Sequence, residues 1–193
     1  MPYVTEWSEE QEPSFVVVER RGVGVAYADE SLVDRDENGV LWFRTLSRPG
    51  VGRPVFGRVH PLRQRRAMRR LLCQVCGGPA DRTFEGVLWL MRDFRGDWPG
   101  WPNLMAETEP PVCRPCTRLS LRLCPSMRKG AVLVRARRYP VVGVHGLLYS
   151  GGTLPVPVGP LTASLDDPAV RWVRAARLVR ELHDCTLIDI EDI

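Results

Sequence analysis

Four of the six cysteines in this chain form two Cys-x-x-Cys pairs, Cys73 with Cys76 and Cys113 with Cys116. Two glycines follow the first pair, and a proline stands inside the second. Glycine lets the backbone turn back so that amide N–H groups can point at sulfur. Two such pairs supply the four thiolates that a tetrahedral structural zinc takes. The spacing therefore predicts a zinc site at Cys73, Cys76, Cys113 and Cys116.

Two other roles stay open for these thiols. Disulfides form in oxidising compartments, but the first ten residues have neither the basic nor the apolar region of a signal peptide. A thioredoxin-like redox role uses one pair between a strand and a long helix, and it leaves the other pair unexplained. We therefore expect a cytoplasmic protein whose thiols stay reduced.

Two further cysteines, Cys124 and Cys185, are left over. Each lies in an apolar stretch of the sequence, where a buried and inert thiol is expected. Cys124 is also close enough to Cys116 along the chain to be a substitute ligand.

The composition indicates a globular protein. Of the 193 residues, 44% are hydrophobic and 26% are charged, which excludes wholesale disorder. No stretch approaches the roughly 18 uninterrupted apolar residues of a membrane-spanning helix, so we expect no membrane partner. We predict an acidic flexible lead-in over residues 1–13 and a single α+β domain over residues 14–193. The zinc-binding module is expected within this domain at residues 69–127.

The charge is unevenly distributed along the chain. Arginine supplies nearly all of the positive charge, with Lys129 as the only lysine, and this skew is typical of a GC-rich, bacterial coding genome. Residues 44–138 carry 19 arginines and Lys129 against six acidic residues, a net charge of +14, whereas the flanks together carry −10. Such segregation predicts an anionic partner or an intramolecular charge match.

Periodicity predicts an antiparallel β-meander and short helices around the zinc-binding insert. Short β-branched runs at 15–18, 23–27 and 40–43, with Asn38-Gly39 before the last, favour the meander. Helices are predicted over 61–72, over 117–123, and from an Asp-Asp-Pro start over 166–183. Strands are predicted over 84–91, 131–137 and 141–149, and loops over 47–61 and 150–163.

A Cys-x-x-Cys-Gly turn, a hairpin-like stretch and a second Cys-x-x-Cys that begins a helix resemble the treble-clef zinc domains. These include the zinc-bearing branch of the HNH endonucleases, whose histidines stand on the strand after the first turn and directly after the last cysteine. Here no histidine lies between Cys73 and Cys116, Thr117 follows Cys116, and only Asn103 matches. The resemblance therefore implies a degenerate core, without the general base of that nuclease.

The sequence leaves nucleic-acid binding as the first predicted function, without catalytic residues, and DNA and RNA are not distinguished. Arginines would contact phosphates from two helices, and two tryptophans would stack on bases. The residues predicted for this role are Arg63, Arg65, Arg66, Arg69, Arg70, Arg114, Arg118, Arg122, Trp98 and Trp101.

Two alternatives stand beside nucleic-acid binding. One is a protein-interaction or adaptor module whose basic zinc-bearing face docks an acidic protein surface. The other, ranked third, is a degenerate HNH-like nuclease. The three histidines, His60, His145 and His183, have no convincing catalytic partner in the sequence.

Overall fold

The computed structural model describes the backbone of residues 1–193 and every side chain except those of Lys129 and Asp192. The helices are α1 (Pro61–Arg70) and α2 (Arg114–Leu123). The strands are β1 (Thr5–Trp7), β2 (Val17–Arg20), β3 (Gly24–Tyr27), β4 (Leu41–Trp42), β5 (Pro54–Val59), β6 (Arg82–Thr83), β7 (Gly86–Arg92), β8 (Met105–Glu107), β9 (Ala131–Arg138), β10 (Val141–Tyr149), β11 (Pro157–Ser164) and β12 (Val173–Ile188). Short 3-10 turns cover Met127–Lys129, Pro168–Trp172 and Ile190–Asp192.

The fold is a strand-rich mixture of open, mostly antiparallel sheets with two short helices, as the sequence predicts in outline. The chain forms two compact units. The first unit comprises Met1–Val4, Arg63–Val141 and Val179–Ile193, and the second comprises Thr5–Leu62 and Val142–Leu178. The single domain over residues 14–193 stays a prediction.

Among the described residues, no helix has the length and apolarity needed to cross a membrane.

The first unit is built on the strand order β6, β7, β9 and the second half of β12, with β8 also paired to β12. Strand β7 is buried on both faces, so its side chains divide between two cores. Trp89 points to one core, which contains Val134 and Leu182. Leu88 points to the other, which contains Cys73 and further cysteine side chains. The sheet of this unit therefore supports the cysteine pairs directly.

The second unit contains β10 and β11 as an antiparallel pair, β4 in parallel with the first half of β12, and the antiparallel ribbons β2–β3 and β1–β5. An arginine lies in its core. The Arg174 guanidinium stands 3.8 Å from the ring centre of Phe43 and 4.2 Å from that of Phe15. Its Nη1 donates to Glu12 at 2.7 Å. Aromatic faces and a carboxylate thus compensate the buried cation.

The helix predicted over residues 166–183 is wrong. Asp167 does cap a helical turn, by accepting the Ala169 N–H, but that turn is the short Pro168–Trp172. The chain then enters β12, whose backbone pairs with β8, β9 and β4. Apolar residues in β12 recur at helical spacing. Its backbone nevertheless forms sheet hydrogen bonds with strands remote in sequence, and these outweigh the local preference for a helix.

Other predictions also need correction. The loops predicted over 47–61 and 150–163 contain β5 and most of β11, strands whose prolines are tolerated because both lie at sheet edges. The β2–β3 pair of the predicted meander is confirmed, but β4 pairs with β12 instead of continuing it. The predicted 131–137 and 141–149 strands exist as β9 and β10, but they pair with other strands. The flexible lead-in over residues 1–13 stays a prediction; this segment includes β1, and Glu10 within it is 1% exposed.

A buried arginine from β12 fixes the C-terminal end of α1. Arg180 donates from Nε and Nη2 to the Met68 carbonyl, at 3.0 and 2.8 Å, and from Nη1 to the Tyr139 carbonyl. The last carbonyls of a helix have no hydrogen-bond partner within the helix, and they form the negative end of the helix dipole. Burial lowers the pKa of Arg180, and these carbonyls hold the cation in place.

We predict that Arg180→Met lowers the free energy of unfolding by about 3 kcal/mol, because it leaves buried carbonyls without donors. Arg138→Met is the matched control. The Arg138 side chain is 66% exposed and its ion pair with Asp184 is solvated, so no measurable change is expected. Urea unfolding of both variants measures the difference. Equal stabilities would show that Arg180 does not support α1.

Candidate metal centre

The first cysteine pair follows directly from the end of α1. Leu71 adopts a left-handed conformation, with φ at 52°. The Leu72 N–H donates to the Ala67 carbonyl at 2.9 Å. This is the geometry with which helices commonly end. It turns the chain so that Cys73 enters the core of the first unit, where its side chain is fully buried.

A tight turn carries the first pair. The Cys73 N–H donates to the Gly78 carbonyl at 2.7 Å, and the Gly77 N–H donates to the Cys73 carbonyl at 2.8 Å. Gly77 has a φ of 73° and lies against Tyr3, where an added Cβ would be 2.9 Å from a ring carbon. Only glycine satisfies both the conformation and the space. Gly77 thus makes the turn that the sequence predicts after the first pair.

The second pair begins α2. Cys113 is the N-cap residue, and its carbonyl accepts the Thr117 N–H at 3.0 Å. Pro115 occupies the first turn, where its missing N–H would have had no helical partner. Cys116 lies in the same turn and is buried. Both sulfurs therefore lie at the N-terminal end of the helix, which favours negative charge.

Backbone hydrogen bonds bring the two turns together. The Gln74 N–H donates to the Pro111 carbonyl at 3.0 Å, which joins the first turn to the approach of the second. The Val112 N–H donates to the Leu88 carbonyl of β7 at 2.9 Å, and the Val112 carbonyl accepts the Asp81 N–H at 2.9 Å. Residues 37 positions apart in sequence thus meet beside β7.

The four cysteine sulfurs form one cluster. All four Sγ atoms lie within 4.8 Å of one another, and those of Cys76 and Cys113 are 3.8 Å apart. Around a tetrahedral ion with metal–sulfur distances of about 2.3 Å, neighbouring sulfurs are about 3.8 Å apart. The two sulfurs that are farthest apart need to approach by at most about 1 Å to complete that tetrahedron. Side-chain rotation can supply this movement. The cluster can therefore hold a metal ion.

Burial and neighbouring groups shift the pKa values of three cysteines of the cluster. Burial opposes the Cys73 thiolate, but the N–H groups of Cys76, Cys113 and Val75 donate to its sulfur and lower the pKa of Cys73. Burial raises the pKa of Cys113 and, more strongly, that of Cys116, where the neighbouring sulfurs add to the effect. A positive ion between the four sulfurs would favour their thiolate forms.

The remaining cysteines lie apart from the cluster. Cys124 is the C-cap residue of α2, eight residues beyond Cys116, which corresponds to about 12 Å along a helix axis. Cys185 donates to the Pro102 carbonyl at 3.9 Å, and burial raises the pKa of Cys185 to about 11. Among the described residues, the metal-binding group contains neither of them.

The three histidines also have partners of their own. His60 is buried, with Nε2 3.1 Å from the Leu46 carbonyl. His145 contacts a threonine hydroxyl at 2.9 Å, and His183 contacts Glu181 at 2.8 Å. Within the described side chains, the group that could hold a metal consists of cysteines alone.

The arginines of α1 differ in exposure. Arg66, Arg69 and Arg70 are exposed, whereas Arg63 is buried and Arg65 is half-buried. Residues three and four apart share one face of a helix, so the exposed three form a single basic face. The helix contains no acidic residue. Arg63 has only 8% of its surface exposed, so its predicted phosphate contact does not fit its burial.

The arginines of α2 are spaced four residues apart, and two of them have intramolecular partners. Arg114 lies 3.3 Å from the Asp81 carboxylate. Arg118 donates from Nε to the Ile193 carbonyl. Arg122 is exposed.

The two tryptophans predicted to stack on bases pack into the protein instead. Trp101 is 7% exposed and belongs to the core that contains Trp89. Trp98 is half-buried against the same core, and its Nε1 donates to the Asn103 carbonyl at 3.2 Å. A buried ring offers no face to a base, so the stacking role predicted for Trp101 does not fit. The prolines and glycines around both tryptophans are typical of loops, and only the tertiary fold reveals the core beneath them.

Sequence reasoning missed a buried ion pair next to the cluster. Arg135 of β9 is 1% exposed and donates to the Asp81 carboxylate and, at 3.1 Å, to the Gly86 carbonyl. The same carboxylate forms an ion pair with Arg114, at 3.3 Å. Asp81 thus links β9 to the start of α2, beside Cys113. The sequence signal that could have revealed this ion pair is Arg135 itself, an arginine within the apolar run of β9.

Comparisons of the chain with models of protein families, with curated proteins and with solved structures find no match.

We predict that Cys76→Ser abolishes metal binding and unfolds the region from Cys73 to Leu123, because a serine hydroxyl is a poor ligand for a soft ion. Elemental analysis and circular dichroism measure the two effects. Cys124→Ser and Cys185→Ser are the matched controls and should keep about one metal ion per chain. Retained metal in the Cys76 variant, together with lost metal in the Cys124 variant, would move the site to the other thiol.

Proposed function

We propose that this chain is a zinc-stabilised nucleic-acid-binding protein in which a structural zinc orders two arginine-bearing helices. The observation that carries the proposal is the exposed basic face of α1, formed by Arg66, Arg69 and Arg70, on a helix without acidic residues. Phosphate backbones are the polyanions for which clustered arginines are suited, since each contact releases a bound counterion.

Zinc is the ion that the cluster fits best. Four sulfur donors at nearly tetrahedral spacing favour zinc or an iron–sulfur cluster over magnesium or calcium, which take oxygen ligands. A set of four protein ligands leaves no position for water or substrate, which is typical of a structural zinc. Cys73, Cys76, Cys113 and Cys116 would hold the ion. Their two turns, one followed by β7 and the other beginning α2, are also the parts of a treble clef.

The cluster lies where it can order both helices. α1 ends three residues before Cys73, and α2 begins directly after Cys113. An ion bound by both pairs therefore fixes the end of one helix and the start of the other. Arg70 and Arg114 stand next to these fixed points in sequence. Ordered arginines lose less conformational entropy on binding a phosphate than mobile ones do.

A protein partner is the second candidate, and α2 favours it. Leu119 and Leu123, four residues apart, are 37% and 59% exposed. Arg114 and Arg118 in the same helix are already engaged within the protein. A helix face with exposed leucines and one available arginine, Arg122, fits an amphipathic groove better than a phosphate backbone.

Titrations against duplex DNA, single-stranded DNA and RNA at several salt concentrations test the proposal. The slope of log affinity against log salt counts phosphate contacts, and it should be negative for the wild-type protein. The double variant Arg66→Glu and Arg70→Glu should bind more weakly to all sequences. Its slope on duplex DNA should flatten by about 2, because two contacts that carry no sequence information are lost.

The matched control is the double variant Arg20→Glu and Arg21→Glu. These residues are also exposed and adjacent, and the change in net charge is identical, but they lie at the end of β2 in the other unit. Equal weakening by both variants would indicate non-specific charge attraction. If the wild-type protein shows no salt-dependent affinity for any nucleic acid, binding to a protein partner replaces nucleic-acid binding as the proposed function.

A further inference from the structure

An aromatic ring at the tip of the β6–β7 hairpin is almost fully exposed. Phe84 is 91% exposed. Every other aromatic side chain of the first unit is buried or half-buried. Its neighbours in sequence, Arg82, Thr83 and Glu85, are polar, so the ring does not belong to an apolar patch of the kind that docks proteins. Both faces of the ring are open to a flat partner.

The hairpin holds this ring on a short, defined turn. Arg82 pairs with Val87, and Thr83 pairs with Gly86, so Phe84 and Glu85 form the connection between the strands. The Glu85 N–H donates to the Thr83 hydroxyl at 3.2 Å. Two-residue connections leave little freedom to the backbone. The ring is therefore presented by a tight hairpin.

The base of the hairpin is fixed to β9. Gly86 has a φ of 122°, and a Cβ added to it would lie 2.2 Å from the Ala136 carbonyl oxygen. The strands can approach this closely only at a glycine. The buried Arg135 donates to the Gly86 carbonyl at 3.1 Å and also holds Asp81, one residue before β6. Both strands of the hairpin are thus attached to one buried guanidinium.

An exposed arginine precedes the ring by two residues in the hairpin. Arg82 is exposed on the first strand of the hairpin. An arginine and an open aromatic ring in one hairpin are a combination that suits single strands, since arginine contacts phosphate and the ring stacks on a base.

We propose that Phe84 stacks on an unpaired base of a single-stranded nucleic acid, with Arg82 contacting an adjacent phosphate. This inference rests on the proposed function and narrows it from nucleic acids in general to single strands. A base inside a duplex is already stacked on both faces, whereas an unpaired base presents a face to the ring.

The test compares Phe84→Ala with the wild-type protein on a labelled single-stranded oligonucleotide of mixed sequence and on its duplex. Loss of one stacking contact should weaken single-strand binding about 5- to 100-fold. Duplex binding should change less than twofold, and Phe84→Tyr should restore single-strand affinity. The matched control is Phe56→Ala, which removes another exposed ring (72%) from the second unit. Unchanged melting temperatures establish that the variants are folded.

The outcomes separate the inference from the function on which it rests. If the wild-type protein binds neither oligonucleotide at low salt, the proposed function fails. If it binds both with a salt-dependent slope, and Phe84→Ala binds the single strand as the wild type does, only the stacking role is overturned. Equal losses in Phe84→Ala and Phe56→Ala also overturn it. A selective loss in Phe84→Ala that Phe84→Tyr rescues supports it.

Discussion

The convergence of four sulfurs from two distant turns is the constraint on which the first unit depends. Each turn is stabilised locally, by glycine in the first and by the start of α2 in the second. Four thiolates in one small volume repel one another, and burial further disfavours their charge, so this arrangement favours binding of a cation. The apolar residues of β7 supply the other support, because Leu88 and Leu90 pack against the cysteines.

Arginine has two different roles in this chain, and its position in the sequence does not distinguish them. Arg135 and Arg180 are buried and donate to carbonyl and carboxylate oxygens inside the first unit. Arg66 and Arg70 project from the surface of α1. The positive charge of the central segment therefore overstates the basic surface that a partner can reach. Removing a buried arginine and removing an exposed one have different physical consequences.

Local signals predicted the parts of the structure that local chemistry determines. Helices α1 and α2 and strands β7, β9 and β10 follow from apolar periodicity and turn residues, and the cysteine group follows from spacing. Features that depend on distant contacts were missed. Strand β12 has helix-like spacing but is determined by pairing with remote strands, and Trp101 becomes buried through the core around Trp89. Sequence spacing also gives no measure of exposure, so it did not single out Phe84.

The cap of α2 makes the proposed zinc a determinant of protein lifetime. Cys113 caps this helix without a side-chain hydrogen bond, so the first amides of α2 rely on the negative sulfurs at its N-terminus. Removal of the ion would protonate those sulfurs and let the first turn fray, exposing backbone that proteases cleave. In a cell with little zinc, the abundance of this protein would then fall through turnover, without any change in its synthesis.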